Sequence, residues 1–411
     1  MLKTAKQAFT LIEIAITISI IVIISVVVYA NFNEINDSGE IVAVSDKMRE
    51  QVRVAQNFAL NGRMLSADKA PYGWGVYFNR PGGKYITYGD LNGSQNYDFP
   101  TKLLIHGTEV VSGTTFFDSS VSSTATTTKT VTKNATPINT SGGGAPSGVG
   151  GDHWTFDASD YLSIPNHQDF NTGTSSFAID FWFKMTSFSG SLQKIAEKSN
   201  SFYVGVNLAG TTTTARFGFR TSGSVWYEIG SSSTTTLATN VWHHVAAVRD
   251  RQFIKIFVDG KAKDVLQIGT TTEMYYDSGS SLNIGSATFA GSVDEIRFVK
   301  DWAPWYQSFT PPTKLYSADE EKYQEVKLPP GPVFDKFYSV NSIGATTSIT
   351  STIDVFFSPA DYLMRINGAS ATEDSAIITV NRGGSNKGYP GYTPKSFRIW
   401  PSGLISATTT P

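Results

Sequence analysis

One carboxylate, Glu13, stands at the head of a run that is otherwise free of charge from Ile14 to Val28. Ion pairing is the chemistry open to it. A charge in hydrocarbon surroundings costs a few kcal/mol or more and marks function. No basic residue within the run can neutralise this one, so the spacing predicts a partner on another molecule.

Other residue types offer less. Glycoside hydrolysis needs two carboxylates about 5 to 10 Å apart across the sugar. The best acidic cluster, Asp294-Glu295, consists of strand neighbours that point to opposite faces, and there is no E-x-D-x-E arrangement. No G-x-S-x-G context supports a serine nucleophile. His243 and His244 lie in a strand pattern, where adjacent side chains diverge, so they predict one packed and one solvated ring rather than a metal pair. Trp302, Trp305 and Tyr306 could stack on a sugar or could cover a core as the chain leaves it. The residues therefore predict no catalytic set, and the expectation is a protein that is not an enzyme.

Composition bounds the partners. With 411 residues, 40% hydrophobic and 17% charged, the chain is long enough for two or more cores. A net charge of -2 and the lack of a Lys/Arg stripe give no case for nucleic acid. The absence of cysteine excludes disulfides, zinc-thiolate sites and thiol chemistry.

Several elements must position these residues. The stretch of about 20 residues from Phe9 to Tyr29 suits a bilayer. Lys3 and Lys6 on one side, with no basic residue from Asn31 to Asp46 on the other, fit a cytoplasmic N-terminus and an exported bulk. A secretory signal cut after Val28-Tyr29-Ala30 and a plain signal anchor are the alternatives. Beyond the run, Ile41, Val44, Met48, Val52, Ala55 and Phe58 recur at helical spacing and predict an amphipathic continuation that stops near Gly62. Asn36-Asp37-Ser38-Gly39 predicts a bend or a local melt within it. Tyr72 to Phe78 and Lys84 to Tyr88 read as an aromatic hairpin.

Residues 101–318 have a different character. Phe177, Ile179, Phe181, Phe183 and Met185 alternate with Ala178, Asp180, Trp182 and Lys184, which predicts a strand with one core face. Phe253 to Val258 ends in the turn signal Asp259-Gly260, and Val241 to Ala246 is its expected partner. Many short strands with no helical stretch predict a β-sandwich. Ser119 to Gly151, rich in Ser, Thr and Gly, reads as a surface excursion.

The phrase Lys6-Gln7-Ala8-Phe9-Thr10-Leu11-Ile12-Glu13 resembles the class III leader of type IV pilins and type II secretion pseudopilins. The resemblance implies cleavage between Ala8 and Phe9 by a prepilin peptidase and methylation of the Phe9 amine. It also implies pairing of Glu13 with the Phe9 amine of a neighbouring subunit. Ala8 stands where the family usually has Gly. Glu320 to Gly331, Ile353 to Pro359 and Phe397 to Gly403 resemble successive strands of H-type minor pseudopilins. The implied organisation is a leader at 1–8, a membrane-spanning half of the pilin helix at 9–30, a discontinuous headpiece at 31–100 and 319–411, and an insertion at 101–318.

Within the insertion, Phe156 to Leu162, Phe177 to Trp182, Trp242 to Ala246, Val258-Asp259-Gly260 and Gly291 to Arg297 resemble the laminin-G-like, concanavalin A-like jelly rolls. Lys102 to His106 and Phe309 to Pro312 fit as opening and closing segments. That family commonly binds carbohydrate or protein ligands, often with calcium. Asp157, Asp160 and Asp294 are the ligands the resemblance implies, with Ala158 in place of the usual Gly; turn capping is the alternative role for Asp157 and Asp294.

The expectation is an α+β chain, with a pilin-like long N-terminal helix and antiparallel headpiece carrying an inserted all-β jelly roll. It would be a single-pass protein of the inner membrane that joins a pilus or pseudopilus at the cell surface and displays a glycan-binding module. A filament subunit with a decorative insertion and a membrane-tethered glycan hydrolase are the competing functions.

Overall fold

The computed structural model describes residues 11–66, 69–98, 100–107, 114–120, 129–134, 146, 149, 151–188, 192–230, 236–317, 319–341, 345–349, 351–359, 364–366, 373–382, 394–400, 402 and 404–408. The leader cleavage expected between Ala8 and Phe9, and most of the excursion from 119 to 151, lie outside these residues. The chain divides into two compact units, residues 1–97 with 322–411, and residues 98–321.

In the discontinuous unit the helix α1 runs Leu11–Leu60. Ile41, Val44, Met48, Val52, Ala55 and Ala59 are buried in one core with Trp74, Val76, Phe78 and Phe337, while Phe58 packs at its margin. The local melt does not occur: Asn36 to Gly39 are α-helical. Poor helix formers cost up to about 1 kcal/mol each, less than propagation from turns anchored by a buried face supplies. The stop falls where the sequence places it. Gly62 is left-handed at φ 60°, Arg63 N donates to Phe58 O at 2.9 Å and Gly62 N to Ala59 O at 3.3 Å, which closes a Schellman cap. Two five-stranded antiparallel sheets complete the unit, one of them centred on Gly73–Asn79 between Lys84–Asp90 and Thr352–Phe357.

Among the described residues, strands far outnumber helical residues, and the helical elements are α1 and the short turn Gln168–Phe170. The expected α+β class is thus corrected to a predominantly β protein of several sheets. These two helical elements cannot form a layer of their own, and the repeated two-residue alternation of both units dictates sheets. The single-pass membrane placement is also corrected, because among the described residues no helix is long and apolar enough to cross a membrane.

The unit 98–321 is a sandwich. Its eight-stranded sheet begins at one edge with Trp226–Ile229, Thr212–Arg220, Phe202–Ala209 and Gln193–Lys198. Its seven-stranded sheet is centred on His243–Asp250, Phe177–Met185 and Ala290–Lys300. Phe177, Ile179, Phe181, Phe183 and Met185 join Phe202, Val204, Phe217 and Phe219 in one core. The other face is covered as well. Ala178, Ala246, Val248, Phe257 and Val299 pack beneath Trp305, which stacks on Phe309 at 4.1 Å. Trp305 is therefore a cover for the sheet, whereas Tyr306 is exposed. Asp259 and Gly260, both at positive φ, turn Phe253–Val258 into Lys261–Gln267, and Phe253–Val258 also pairs with His243–Asp250.

Candidate functional site

The outer face of the eight-stranded sheet carries a groove lined by aromatic and acidic side chains. Phe202, Val204 and Val206 point into the core, so alternation turns Tyr203 outward. Register then aligns Glu197, Tyr203, Gly218 and Glu228 in one row across four strands. Gly218 makes the row possible, because a Cβ there would stand 2.2 Å from the Tyr203 ring. Trp226, 48% exposed, lies 6.3 Å from Tyr203 with the rings inclined by 31°. Beside it Tyr227 stacks on Phe219 at 5.4 Å. Glu197, Tyr203, Trp226, Tyr227 and Glu228, with Lys194 and Asn200, line a groove of about 440 Å³.

Each acid in the groove has a base. Lys194 Nζ lies 2.5 Å from Glu197 and 5.2 Å above the Tyr203 ring. Arg216 lies 3.7 Å from Glu228. The Tyr203 hydroxyl donates to the other Glu228 oxygen, and burial, then this hydrogen bond, push its pKa well above the ordinary tyrosine value. Aromatic faces suit the apolar faces of sugars, and fixed carboxylates accept hydrogen bonds from hydroxyls. None of these residues was singled out in the sequence. The exposed pair Trp226-Tyr227 after Gly223 was the only available signal, and it says nothing of the strands beside it.

The three expected calcium ligands do not converge. Asp160 is fully buried and neither carboxylate oxygen has a hydrogen-bond partner. Burial, then the charge of Asp157, raise its pKa. Asp157 is exposed and accepts from Ser159 N at 3.0 Å and Ser159 Oγ at 2.6 Å. Between them Ala158 holds φ 74°, the left-handed conformation that glycine would adopt more cheaply. Asp294 sits instead at an irregularity in Ala290–Lys300, where it accepts from Gly107 N at 3.0 Å and Glu295 N at 2.8 Å. Burial, then the Glu295 charge, push it up to about 7. Among the described residues, no group of three or more His, Cys, Asp or Glu is placed to hold a metal ion. Asp157 and Asp160 remain a pair with an orphaned buried carboxylate, a donor set of the hard-oxygen kind calcium takes.

The histidines do not divide as expected. His244 is buried and bonds the Tyr316 hydroxyl at 2.9 Å. His243 is not solvated: its ring lies 2.8 Å from Asp259 and is 13% exposed. Asp294-Glu295 is a structural pair, with Glu295 at φ 51°, 2.5 Å from His106 and accepting from Tyr316 N. Glu13 lies in the first turn of α1.

Residues 156–302 match the family described as the concanavalin A-like lectin/glucanases superfamily, and this segment forms a concanavalin A-like, lectin-type jelly roll within the sandwich unit. No curated protein matches the sequence of the chain. Among solved structures, the chain is similar to domain 4 of AbnA, a GH43 extracellular arabinanase from Geobacillus stearothermophilus in complex with arabinotriose. That similarity has 17% identity, covers 42% of this chain and 82% of that one, and has a TM-score of 0.31. The binding domain of Paraclostridial Mosquitocidal Protein 1 is similar at 9% identity, 75% and 76% coverage and a TM-score of 0.37. The binding domain of botulinum neurotoxin DC in complex with SialylT is similar at 11% identity, 78% and 79% coverage and a TM-score of 0.37.

Proposed function

We propose that the sandwich unit binds carbohydrate in the groove formed by Gln193–Lys198, Phe202–Ala209, Thr212–Arg220 and Trp226–Ile229. The observation that carries this reading is the exposed Trp226 beside Tyr203, flanked by Glu197 and Glu228. The lectin-type family of the segment supports it. Binding without hydrolysis is the reading here, because Glu197 and Glu228 are each engaged by a neighbouring cation, Lys194 and Arg216. A panel of oligosaccharides titrated against the full chain tests this. Saturable binding that Trp226→Ala abolishes, without sugar release, is expected; binding that survives that change would place the ligand elsewhere.

Calcium belongs to the same proposal as a structural ion. Asp157 and Asp160 would hold it, and the ion would neutralise the buried Asp160 carboxylate and stiffen the turn they share.

The helix-bearing unit supports the filament reading through one observation. Leu11, Ile12, Ile16, Ile18 and Ile21 are all more than half exposed on α1, while the Thr17, Ser19 and Ser25 hydroxyls bond back to helix carbonyls. Such a surface suits packing against the same helix of other copies, with Glu13 pairing to another subunit's Phe9 amine. The subunit would then present the lectin-type unit on a minor pilin or pseudopilin filament. Glu13→Ala should leave the fold intact and block co-assembly; normal co-assembly of that variant would sink the pairing.

A further inference from the structure

The row of side chains that passes through the groove does not end at Glu197. Glu197 stands opposite Asn283, and Asn283 opposite Ser163, so the row continues in register across two further strands, Leu282–Ile284 and Tyr161–Ile164. Leu162 and Ile164 lie in the core, so alternation turns Tyr161 and Ser163 to the same outer face as Tyr203. Tyr161, Ser163 and Asn283 are all half-buried there. The Ser163 and Asn283 side chains are short and leave the sheet surface low between the two aromatic ends. Asn283 Oδ1 has no hydrogen-bond partner among the described residues, so its amide is not fully committed to the fold. Tyr161 supplies a second aromatic face beyond them. It lies on the opposite side of the row from Trp226, so the track runs obliquely across the strands. Trp226 and Tyr161 are five steps apart in strand order, and at about 4.8 Å per strand their lateral separation is roughly 24 Å.

Resting on the carbohydrate reading above, we infer that the site takes an extended stretch of a linear polysaccharide, held between Trp226 and a second stacking position at Tyr161. The strand spacing is on the order of one sugar unit, so successive units meet the side chains of successive strands. Aromatic faces suit the apolar faces of the sugars at the two ends, while Glu197, Asn283 and Ser163 exchange hydrogen bonds with hydroxyls between them. Once one end is stacked on Trp226, engagement of Tyr161 by the same chain is intramolecular and adds affinity that a short sugar cannot reach.

Isothermal titration of the full chain decides this, with arabino-, xylo- and cello-oligosaccharides each supplied as the disaccharide and the hexasaccharide. The hexasaccharide of at least one series is expected to bind at least about tenfold more tightly than its disaccharide, a gap of roughly 1.4 kcal/mol. Tyr161→Ala should bring the hexasaccharide close to disaccharide affinity, and Asn283→Ala should remove part of the gap. Tyr161→Phe, which keeps the ring, should retain most of it, and thermal unfolding checks that all three variants fold. Equal affinity for the two lengths, or a hexasaccharide advantage that survives Tyr161→Ala, would overturn the extended track and leave the groove at Trp226 standing. No binding of any of these sugars would overturn both.

Discussion

Arg297 Nε lies 3.1 Å from the Asp180 carboxylate, with both residues buried and directly opposite each other on Ala290–Lys300 and Phe177–Met185. The guanidinium also donates to Glu320 at 2.8 Å, and Tyr316 and His244 complete the cluster around Asp180. Burial alone would raise the Asp180 pKa, but Arg297 and His244 hold it below the ordinary carboxylate value. The pair thus ties the segment ending at Glu320 and Tyr316 to the central strands of the sandwich.

Removing one partner leaves a buried charge uncompensated. Arg297→Met is expected to destabilise the sandwich unit by about 3 to 5 kcal/mol, read as a lower urea midpoint. Asp180→Leu combined with Arg297→Met should recover part of that loss, and an unaltered midpoint in the single variant would show that the pair contributes nothing.

The pH dependence set by Asp294 has the opposite sign from that of Asp180. Its folded pKa, about 7, lies above the ordinary 3.8. As pH rises between these values the unfolded chain loses a proton that the folded chain keeps, so stability falls across that window by at most roughly 4 kcal/mol. Asp294→Asn should be closer to wild type in stability near pH 4 and more stable than wild type near pH 8. Parallel denaturation curves at the two pH values measure this, and an equal difference at both would rule out the Asp294 titration.

Ala158 holds a left-handed conformation at φ 74°. Ala158→Gly is expected to stabilise the sandwich by about 1 kcal/mol. A lowered melting temperature would contradict this.

Gly218 leaves room for the Tyr203 ring that lines the groove. The Cβ introduced by Gly218→Ala would stand 2.2 Å from the Tyr203 ring, so the ring and its bond to Glu228 must shift. Glycan affinity should fall about tenfold or more, a loss of ~1.4 kcal/mol, with a smaller effect from Tyr203→Phe, which keeps the ring. Unchanged affinity in Gly218→Ala would separate Tyr203 from binding.

A calcium ion on Asp157 and Asp160 predicts a melting temperature that rises with added calcium and falls with chelator. Asp160→Ala should abolish that response while Asp294→Asn retains it. A response lost only in Asp294→Asn would move the ion away from the orphaned carboxylate.

Local pattern was enough for much of this molecule. The alternation from Phe177 to Met185 identified a core strand because side chains on a pleated strand alternate regardless of context. The spacing of Ile41 to Ala55 marked a buried helix face, Gly62 its cap, and Asp259-Gly260 a tight turn, since each depends on neighbours a few residues away. The lectin-type segment was legible for the same reason, as short phrases in order. The groove was not legible. Glu197, Tyr203, Gly218 and Glu228 come together through the register of four strands. Likewise, Asp294 parts from Asp157 and Asp160, and His243 turns to Asp259. Periodicity states which face a side chain takes; only long-range pairing, selected by burying both sheets' inner faces at once, decides which side chains share that face.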